Sequence, residues 1–379
     1  MQFHDLGAQY QALKADIDRG IAEVIAKGHF ILGQEVARLE EALAADVGRA
    51  HCVSCANGTD ALVLALMLWG IGAGDAVFVP DFTYFASAAS ASRVGARVVP
   101  VDIEPDTFNL SPRALEQAVE RVEREGRYRP AVVVAVDLFG LPADYARLEP
   151  IARAHGLRIL EDAAQGYGGR MNGRNACAFG DAAITSFFPA KPLGCYGDGG
   201  AVFVDTAEEA ALLRSLRANG RSETDKYDNQ RIGLNSRLDT LQAAILLPKL
   251  RALRAYELDR LNQAAADYTR LLEGVVQTPT VPEGFFSSWA QYTVMLPYGT
   301  RRERVQSRMR EAGVPTMVYY PRGVHQQTAY AHLGFCDDAY PNTLDACARV
   351  LSLPMHPYLT PQDIRQAAEA LRACVREEA

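Results

Sequence analysis

Lysine is scarce in this chain. Five of the 39 basic residues are lysines, the other 34 are arginines, and no extended basic run occurs. The formal net charge is −7. Proteins that hold nucleic acid by electrostatics carry a basic patch or stripe, so we expect no nucleic-acid partner. An anionic ligand would have to be bound by local arginines rather than by the field of the whole protein.

Long apolar runs are missing as well. No uncharged apolar stretch approaches the roughly 20 residues that a membrane-spanning helix needs. The first six residues contain no basic segment followed by an apolar one, so we expect no signal peptide. These patterns predict a cytoplasmic protein without a membrane partner.

The cysteine pattern gives no sign of a disulfide framework. The seven cysteines are odd in number and scattered along the chain, which favours a reducing compartment. Cys52 and Cys55 form a CxxC pair, but they lie in an apolar, strand-like run and no second CxxC occurs. We interpret the pair as structural rather than redox-active, and we expect no metal site.

Apolar runs without polar alternation recur through the first 200 residues, separated by segments of helical periodicity. Such runs are typical of strands buried on both faces, as in a parallel sheet flanked by helices. The runs cover 51–54, 76–79, 96–101, 131–137, 157–162, 182–188 and 201–204. We predict an α/β fold with a mostly parallel central sheet.

The sequence pattern of the last third of the chain predicts a mixed α+β unit. Residues 237–273 indicate one long helix, or two helices broken at Pro248. Strand-like patterns follow at 291–296 and 316–320, and helical patterns cover 302–312, 342–350 and 361–375. We predict a large domain over residues 1–249 and a small one over 250–379.

One of the few lysines stands at the end of a predicted strand. Lys191 follows the run 182–188 in a turn of small residues and precedes the glycine-rich stretch 194–200. Desolvation at such a place lowers the pKa of a lysine, which can then act as an amine nucleophile and form a Schiff base. Arginine stays protonated and cannot do this. The alternative is a solvated lysine in a surface turn.

Other polar residues also lie at the carboxyl ends of predicted strands, which is the edge of the sheet where ligands of α/β proteins bind. Asp162 ends one strand, and residues 57–59 open a helix directly after another. A helix N-terminus suits a phosphate, although both features also match ordinary helix caps. Pyridoxal 5′-phosphate (PLP) requires this set together: a lysine for its aldehyde, a carboxylate for its pyridine nitrogen and donors for its phosphate.

A glycine pattern at 70–74 suggests a dinucleotide fingerprint at first sight. It follows a helix and precedes a strand, which is the wrong order for that motif. We therefore do not favour a nicotinamide-dependent oxidoreductase.

From 5–10 to 352–359, the chain resembles the DegT/DnrJ family of sugar aminotransferases, which have the type I, aspartate-aminotransferase-like PLP fold. The motifs that carry the resemblance are Cys55-Ala56-Asn57-Gly58-Thr59-Asp60-Ala61-Leu62, Glu161-Asp162-Ala163-Ala164-Gln165, the Lys191 stretch and Gly233-Leu234-Asn235-Ser236-Arg237-Leu238-Asp239. The resemblance implies that Lys191 binds the cofactor and moves the substrate proton, while Asp162 pairs with the pyridine nitrogen.

The resemblance also implies the remaining cofactor contacts. Gly58, Thr59 and Ser186 would bind the phosphate in a site that includes Asn57; Gln165 would lie near the phenolic oxygen, and Tyr84 would stack on the ring. Asn235 would reach the phosphate from a neighbouring subunit, giving a homodimer with shared active sites. Without the resemblance, Tyr84 could belong to the core, Gln165 could cap a helix and Ser186 could bond its own turn.

The substrate implied by the resemblance is a nucleotide-linked keto-sugar, with L-glutamate as amino donor. Segments 187–200 and 352–359 look most like the 3-aminotransferases for UDP-2-acetamido-2-deoxy-3-oxo-D-glucuronate, which serve surface polysaccharide synthesis. The diphosphate and the carboxylate of this sugar nucleotide are anions that arginine side chains bind well. The candidate substrate-binding residues are Arg237, Tyr319, Tyr320, Arg322 and His325. Tyr319 stands where members of that subgroup often have histidine.

Two alternatives stay open. The substrate could be another 3-keto or 4-keto nucleotide sugar without the carboxylate. The protein could also be a PLP-binding regulator without turnover, although the chain carries no appended DNA-binding segment.

Overall fold

The computed structural model of the chain describes residues 1–222, 224–225 and 227–378. Its strands are β1 His51–Cys55, β2 Asp75–Pro80, β3 Arg97–Val101, β4 Arg129–Val136, β5 Arg158–Asp162, β6 Arg170–Met171, β7 Arg174–Asn175, β8 Ala182–Ser186, β9 Gly200–Val204, β10 Phe285–Phe286, β11 Tyr292–Met295 and β12 Val350–Leu353.

The central sheet has seven strands in the order β1-β9-β8-β5-β4-β2-β3. Strands β3, β2, β4, β5 and β8 pair in parallel, and β9 runs antiparallel to both of its neighbours. Successive residues of β4 enter different hydrophobic clusters: Val132 and Val134 pack in one, Val133 and Ala135 in another. Both faces of the sheet are therefore buried, which explains the unbroken apolar runs and confirms the predicted fold class.

Helices cover both faces of the sheet. They are α1 Leu6–Lys27, α2 Gln34–Val47, α3 Gly58–Leu68, α4 Phe85–Arg93, α5 Pro112–Glu125, α6 Tyr145–Ala154, α7 Ala207–Leu216, α8 Thr240–Ala252, α9 Leu258–Leu272, α10 Arg302–Glu311, α11 Pro341–Arg349 and α12 Pro361–Glu378. Of the described helices, none is long and apolar enough to cross a membrane.

The alternative of a helix break at Pro248 is wrong. Helix α8 continues through Pro248 to Ala252, and a π-helical turn, Leu253–Glu257, joins it to α9. Proline removes one helix hydrogen bond, but α8 packs against α1 and α2, and this tertiary support keeps the helix intact.

The predicted strand at 316–320 is also wrong. Within it, Met317 alone pairs with another strand, through reciprocal backbone hydrogen bonds of 3.1 and 2.8 Å to Ser352. Pro315 and Pro321 flank the segment and lack the N–H groups that a longer ladder would need. Residues 350–353, by contrast, form β12, where the sequence pattern predicted no strand and extended a helix to Val350.

Antiparallel strands β11 and β12 pack in one hydrophobic cluster with α9, α10 and α12. This cluster contains residues from Leu261 to Val375, with Met1 packed against it. The division of the chain into domains 1–249 and 250–379 stays a prediction.

Close backbone approaches explain the glycine-rich stretch after Lys191. A Cβ atom on Gly194 would lie 2.4 Å from the carbonyl oxygen of Pro189, and one on Gly200 would lie 2.6 Å from that of Asn57. No side chain fits at either position. The glycines therefore let the Lys191 turn close on itself and let β9 press against the start of α3.

The CxxC cysteines lie on opposite faces of β1, because they are three residues apart in a strand. Cys52 packs in one hydrophobic cluster and Cys55 in another. Burial raises the pKa of the Cys55 thiol to about 12 and also raises the pKa of the Cys52 thiol well above its usual value. Both are unreactive core thiols, and all seven cysteines are unpaired.

Candidate active site

A cavity of about 620 Å³ opens at the carboxyl edge of the central sheet, within the usual size range of small-molecule sites. It brings together eleven of the fourteen predicted site residues: Asn57, Gly58, Thr59, Tyr84, Asp162, Gln165, Ser186, Lys191, Tyr319, Tyr320 and Arg322. These side chains come from distant parts of the sequence, and the ends of β5 and β8 and the start of α3 place most of them.

Lys191 lies partly buried in the cavity wall. Its backbone N–H donates to the carbonyl of Phe188 over 2.9 Å, which fixes the turn after β8. Burial lowers the pKa of the Lys191 amine, and the nearby Asp162 carboxylate opposes that shift. No described residue forms a hydrogen bond with the amine. A lysine with a lowered pKa and a free amine is suited to nucleophilic attack and proton transfer.

Asp162 is the buried carboxylate of the cavity. It ends β5, and its oxygens accept hydrogen bonds from the Ser87 hydroxyl at 2.8 Å and from the Ala164 N–H at 3.1 Å. Burial raises the pKa of Asp162, while Ser87, Ala164 and the Lys191 charge counteract that shift. An additional cation facing it would favour its ionised form.

The start of α3 forms the polar end of the cavity. Asn57 caps the helix by accepting the N–H of Asp60 over 2.8 Å, so the plain capping interpretation holds for its side chain. A Cβ on Gly58 would lie 2.7 Å from that of Ser186, which brings the end of β8 against the helix start. Backbone N–H groups and the hydroxyls of Thr59 and Ser186 thus border one end of the cavity, an arrangement that suits an anion.

Gln165 and two tyrosines form another part of the wall. The Gln165 amide accepts the N–H of Phe139 at 2.8 Å and donates to the Tyr320 hydroxyl at 3.1 Å. The N–H that Gln165 accepts belongs to the short 3-10 turn Leu138–Gly140, and the two bonds fix the orientation of the Gln165 side chain. Tyr84 is 58% exposed beside Tyr320, so it is not a core residue. Ser186 does bond its own turn, accepting the Phe188 N–H at 3.3 Å.

Three predicted site residues do not line the cavity. Asn235 is exposed and Arg237 partly exposed, in the segment that precedes α8. His325 is 6% exposed and bonds the carboxylate of Asp81 instead of facing the cavity. The predicted role of His325 as a sugar ligand stays a prediction, and its side chain does not line the cavity.

Sequence reasoning missed several lining residues. Ser87, which holds Asp162, sits one turn after Tyr84 in α4, and that helical spacing could have indicated it. His4 lines the cavity from the first residues of the chain, and no local pattern connects it to Lys191. Gln291, whose side-chain oxygen is buried and makes no hydrogen bond with a described residue, lines it as well.

A pair of carboxyl groups, Asp137 and Glu161, lies next to this site, where the Asp137 N–H donates to the Asp162 carbonyl over 3.0 Å. Both carboxyl groups are fully buried. Asp137 also accepts the Ala143 N–H and the Tyr145 hydroxyl, and Glu161 accepts the N–H groups of Cys177 and Phe179. The pair has no basic partner in these contacts, and burial raises the pKa of both carboxyl groups.

The Asp137 pair predicts a pH-dependent stability. Burial raises the pKa of Asp137 to about 7, against ~3.9 in an unfolded chain. The folded protein then binds the Asp137 proton more tightly than the unfolded chain does. The free energy of unfolding therefore falls as the pH rises between these two pKa values. Asp137→Asn supplies a permanent N–H, so its melting temperature should fall less than that of the wild type between about pH 5 and about pH 8.

Thermal unfolding followed by circular dichroism measures this difference. Glu161→Gln is the matched control, because its amide would meet the two N–H donors and should destabilise the protein at every pH. Equal pH slopes for the wild type and Asp137→Asn would contradict the assignment.

A family model described as the DegT/DnrJ/EryC1/StrS aminotransferase family matches residues 11–372. The chain belongs to this family.

Among the described residues, no group of three or more histidines, cysteines or carboxylates is arranged to hold a metal ion.

Individual members of the aminotransferase family match over the whole chain. The UDP-2-acetamido-2-deoxy-3-oxo-D-glucuronate aminotransferase of Pseudomonas aeruginosa is 43% identical, covering 98% of this chain and 99% of its own. The crystal structure of a family member from Brucella abortus has a TM-score of 0.95 and 45% identity, covering 98% of this chain and 99% of that one. DesV of S. venezuelae, solved with a ketimine intermediate, has a TM-score of 0.92 and 38% identity, covering 99% and 98%.

These matches confirm the family, the fold class, the aminotransferase activity and the PLP cofactor predicted from the sequence. The cavity itself fits PLP. It offers an amine of lowered pKa, a buried carboxylate and a helix N-terminus with hydroxyl groups, which are the three requirements of the aldehyde, the ring nitrogen and the phosphate.

Proposed function

We propose that this aminotransferase transfers the amino group of L-glutamate to C3 of UDP-2-acetamido-2-deoxy-3-oxo-D-glucuronate, in the synthesis of surface polysaccharide. The observation that carries the proposal is the joint placement of Lys191, Asp162 and the α3 N-terminus around one cavity. The sugar is suggested by the named relative of Pseudomonas aeruginosa, which is similar over its full length.

PLP, when bound, supplies an electron sink: its protonated ring stabilises negative charge on the substrate carbon. We assign the attachment of the cofactor to Lys191 and the pairing with its ring nitrogen to Asp162. Gly58, Thr59 and Ser186 would hold its phosphate, with Asn57 fixing the helix start. Gln165 would donate toward the phenolic oxygen, and Tyr84 would cover the ring.

Lys191 would also move the substrate proton. Its lowered pKa leaves a larger share of neutral amine near pH 7 than a solvated lysine has, so it can accept a proton in one half-reaction and return it in the other. Placing the same amine beside both half-reactions gives ping-pong kinetics, in which L-glutamate leaves as 2-oxoglutarate before the keto-sugar enters.

The sugar would lie against the wall that contains Tyr319, Tyr320 and Arg322. Arg322 is exposed at this wall and has no ion pair with a described residue, so its guanidinium is free to bind a carboxylate or a phosphate. Arg237 lies outside the cavity of its own chain and would have to act from a neighbouring subunit.

A homodimer would complete the site. Asn235 and Arg237 lie near an exposed apolar segment, Phe30-Ile31-Leu32, since Phe30 accepts the Thr240 N–H and Ile31 pairs with Asp239. Contiguous exposed apolar residues mark interaction surfaces. We therefore infer that a second copy covers this segment and inserts Asn235 into the partner's site.

Mixing two defective variants tests the shared site. Lys191→Ala and Asn235→Ala homodimers should each be impaired, but re-equilibrated mixtures should recover up to about a quarter of wild-type activity, because half of the dimers then contain one intact site. If each chain forms its own site, the mixture will show only the sum of its components.

The substrate is tested by comparing keto-sugars. With PLP and L-glutamate present, formation of 2-oxoglutarate should be fastest with the 3-keto sugar that carries the carboxylate. A faster reaction with a 3-keto or 4-keto sugar that lacks the carboxylate would favour that alternative. It would also fit the presence of Tyr319 where members of the subgroup often have histidine. The unpaired cysteines are consistent with the cytoplasm as the site of this reaction.

A further inference from the structure

Two walls of the cavity come from segments more than 200 residues apart in the sequence. One wall contains Thr83, Tyr84, Phe85, Ala86 and Ser87, and the other contains Val318, Tyr319, Tyr320, Pro321, Arg322 and Gln327. The first wall includes the Ser87 hydroxyl that holds Asp162. The width of the cavity on this side therefore depends on what joins the two segments.

Asp81 and His325 join them. The His325 N–H donates to Asp81 Oδ1 over 2.8 Å, its ring Nδ1 bonds Asp81 Oδ2, and the Val324 N–H donates to the Asp81 carbonyl over 2.8 Å. Asp81 itself directly follows β2, and its N–H donates to the Val101 carbonyl over 2.7 Å. The second wall is thus bonded at three points to a residue fixed on the sheet edge.

The Asp81–His325 pair is closely enclosed. A Cβ on Gly323 would lie 2.4 Å from Asp81 Oδ2, so only glycine fits beside the carboxylate. The His325 ring stacks on Tyr340 with 4.4 Å between ring centroids, and its Nε2 lies 3.1 Å from the Asp337 carboxylate. Burial alone would lower the pKa of His325, but the Asp81 and Asp337 carboxylates raise it overall.

Neither member of the pair touches the cavity. Asp81 is fully buried, His325 is 6% exposed, and neither contributes to the lining. A buried pair of this kind leaves an uncompensated partner when one member is removed, so both members should act as one unit.

We propose that Asp81 and His325 are positioning residues that hold the 318–327 wall against the 83–87 wall and thereby set the affinity for the sugar portion of the substrate. This inference rests on the proposed function for the identity of the ligand. It assigns the pair no contact with PLP or with L-glutamate.

The test compares His325→Gln, Asp81→Asn and the double variant with the wild type and with His332→Gln. His332 is an exposed histidine of the same region and serves as the matched control. Three properties are measured on each PLP-loaded protein: KM and kcat for the keto-sugar, the rate of the half-reaction with L-glutamate, and hydrogen–deuterium exchange of residues 318–327.

We expect KM for the keto-sugar to rise by about 10- to 100-fold in both single variants. The double variant should be no worse than the singles, because the pair is one unit. The glutamate half-reaction should stay within about twofold of the wild type. Exchange should become faster in 318–327, and His332→Gln should change none of these properties.

Other results overturn the proposal. A KM increase in His325→Gln but not in Asp81→Asn would make His325 a direct ligand. Equal losses in both half-reactions would make the pair a general support of the fold, and unchanged exchange would show that it holds no wall. A wild-type protein that fails to react with L-glutamate would refute the proposed function instead. The exchange measurement would still test whether Asp81 and His325 hold the 318–327 wall.

Discussion

Replacing Lys191 by alanine should reduce amino transfer by at least about 10²–10⁴-fold, because the variant loses the amine that moves the substrate proton. The loss should be larger than this proton-transfer effect alone, since the same amine is assigned to the attachment of PLP. The measurement is the steady-state formation of 2-oxoglutarate from L-glutamate in the presence of a keto-sugar. Bound cofactor should remain detectable through its phosphate site.

Two variants separate the chemistry of Lys191 from its charge. Lys191→Arg keeps a cation but stays protonated, so it should be as inactive as the alanine variant. Lys14→Ala removes a lysine that is about half exposed and does not line the cavity, and it should retain full activity. Substantial turnover by Lys191→Arg would contradict the assignment of the amine as nucleophile and base.

Replacing Asp162 by asparagine should lower kcat by about 10²–10³-fold while PLP still binds. Active sites shift pKa values by about 2–5 units, and the loss of the carboxylate would remove a stabilisation of this kind from the protonated ring nitrogen. Asparagine has nearly the same shape; its oxygen can accept the Ala164 N–H and its NH2 group can donate to the Ser87 hydroxyl, so the geometry should survive. Steady-state kinetics of both half-reactions would show the loss.

Ser87→Ala provides the control for Asp162. It removes one hydrogen bond to the carboxylate but leaves the charge, so its loss of kcat should be far smaller than that of Asp162→Asn. A similar loss in both variants would mean that orientation of the carboxylate, rather than its charge, carries the effect.

The PLP part of the site could be predicted from the sequence because it is built at ends of strands. Asp162, Ser186 and residues 57–59 directly follow or end apolar runs, and parallel strands bring their carboxyl ends to one edge of a sheet. The glycines after Lys191 were visible as a pattern, but their cause was not. Only the structure shows that Gly194 and Gly200 face backbone carbonyls too closely for any side chain.

The sugar side of the cavity was much harder to predict. The segment 316–320 has a strand-like composition, but prolines on both sides restrict its pairing to one residue, and the rest becomes cavity wall. His325 is a polar residue in a loop, which favoured a ligand role, whereas its partner Asp81 lies 244 residues earlier in the chain. His4 was missed for the same reason, since no local pattern records contacts made across the fold, whereas the spacing of Ser87 from Tyr84 could have indicated Ser87.

The visible absorption spectrum of the purified, PLP-loaded protein, recorded before and after excess L-glutamate, tests whether the cofactor held at Lys191 accepts the amino group of L-glutamate. We expect a band of bound PLP that L-glutamate converts to the pyridoxamine phosphate form, with release of 2-oxoglutarate and without any keto-sugar present. A band that L-glutamate leaves unchanged would contradict the proposed donor, and the absence of any band after addition of PLP would contradict the site built around Lys191.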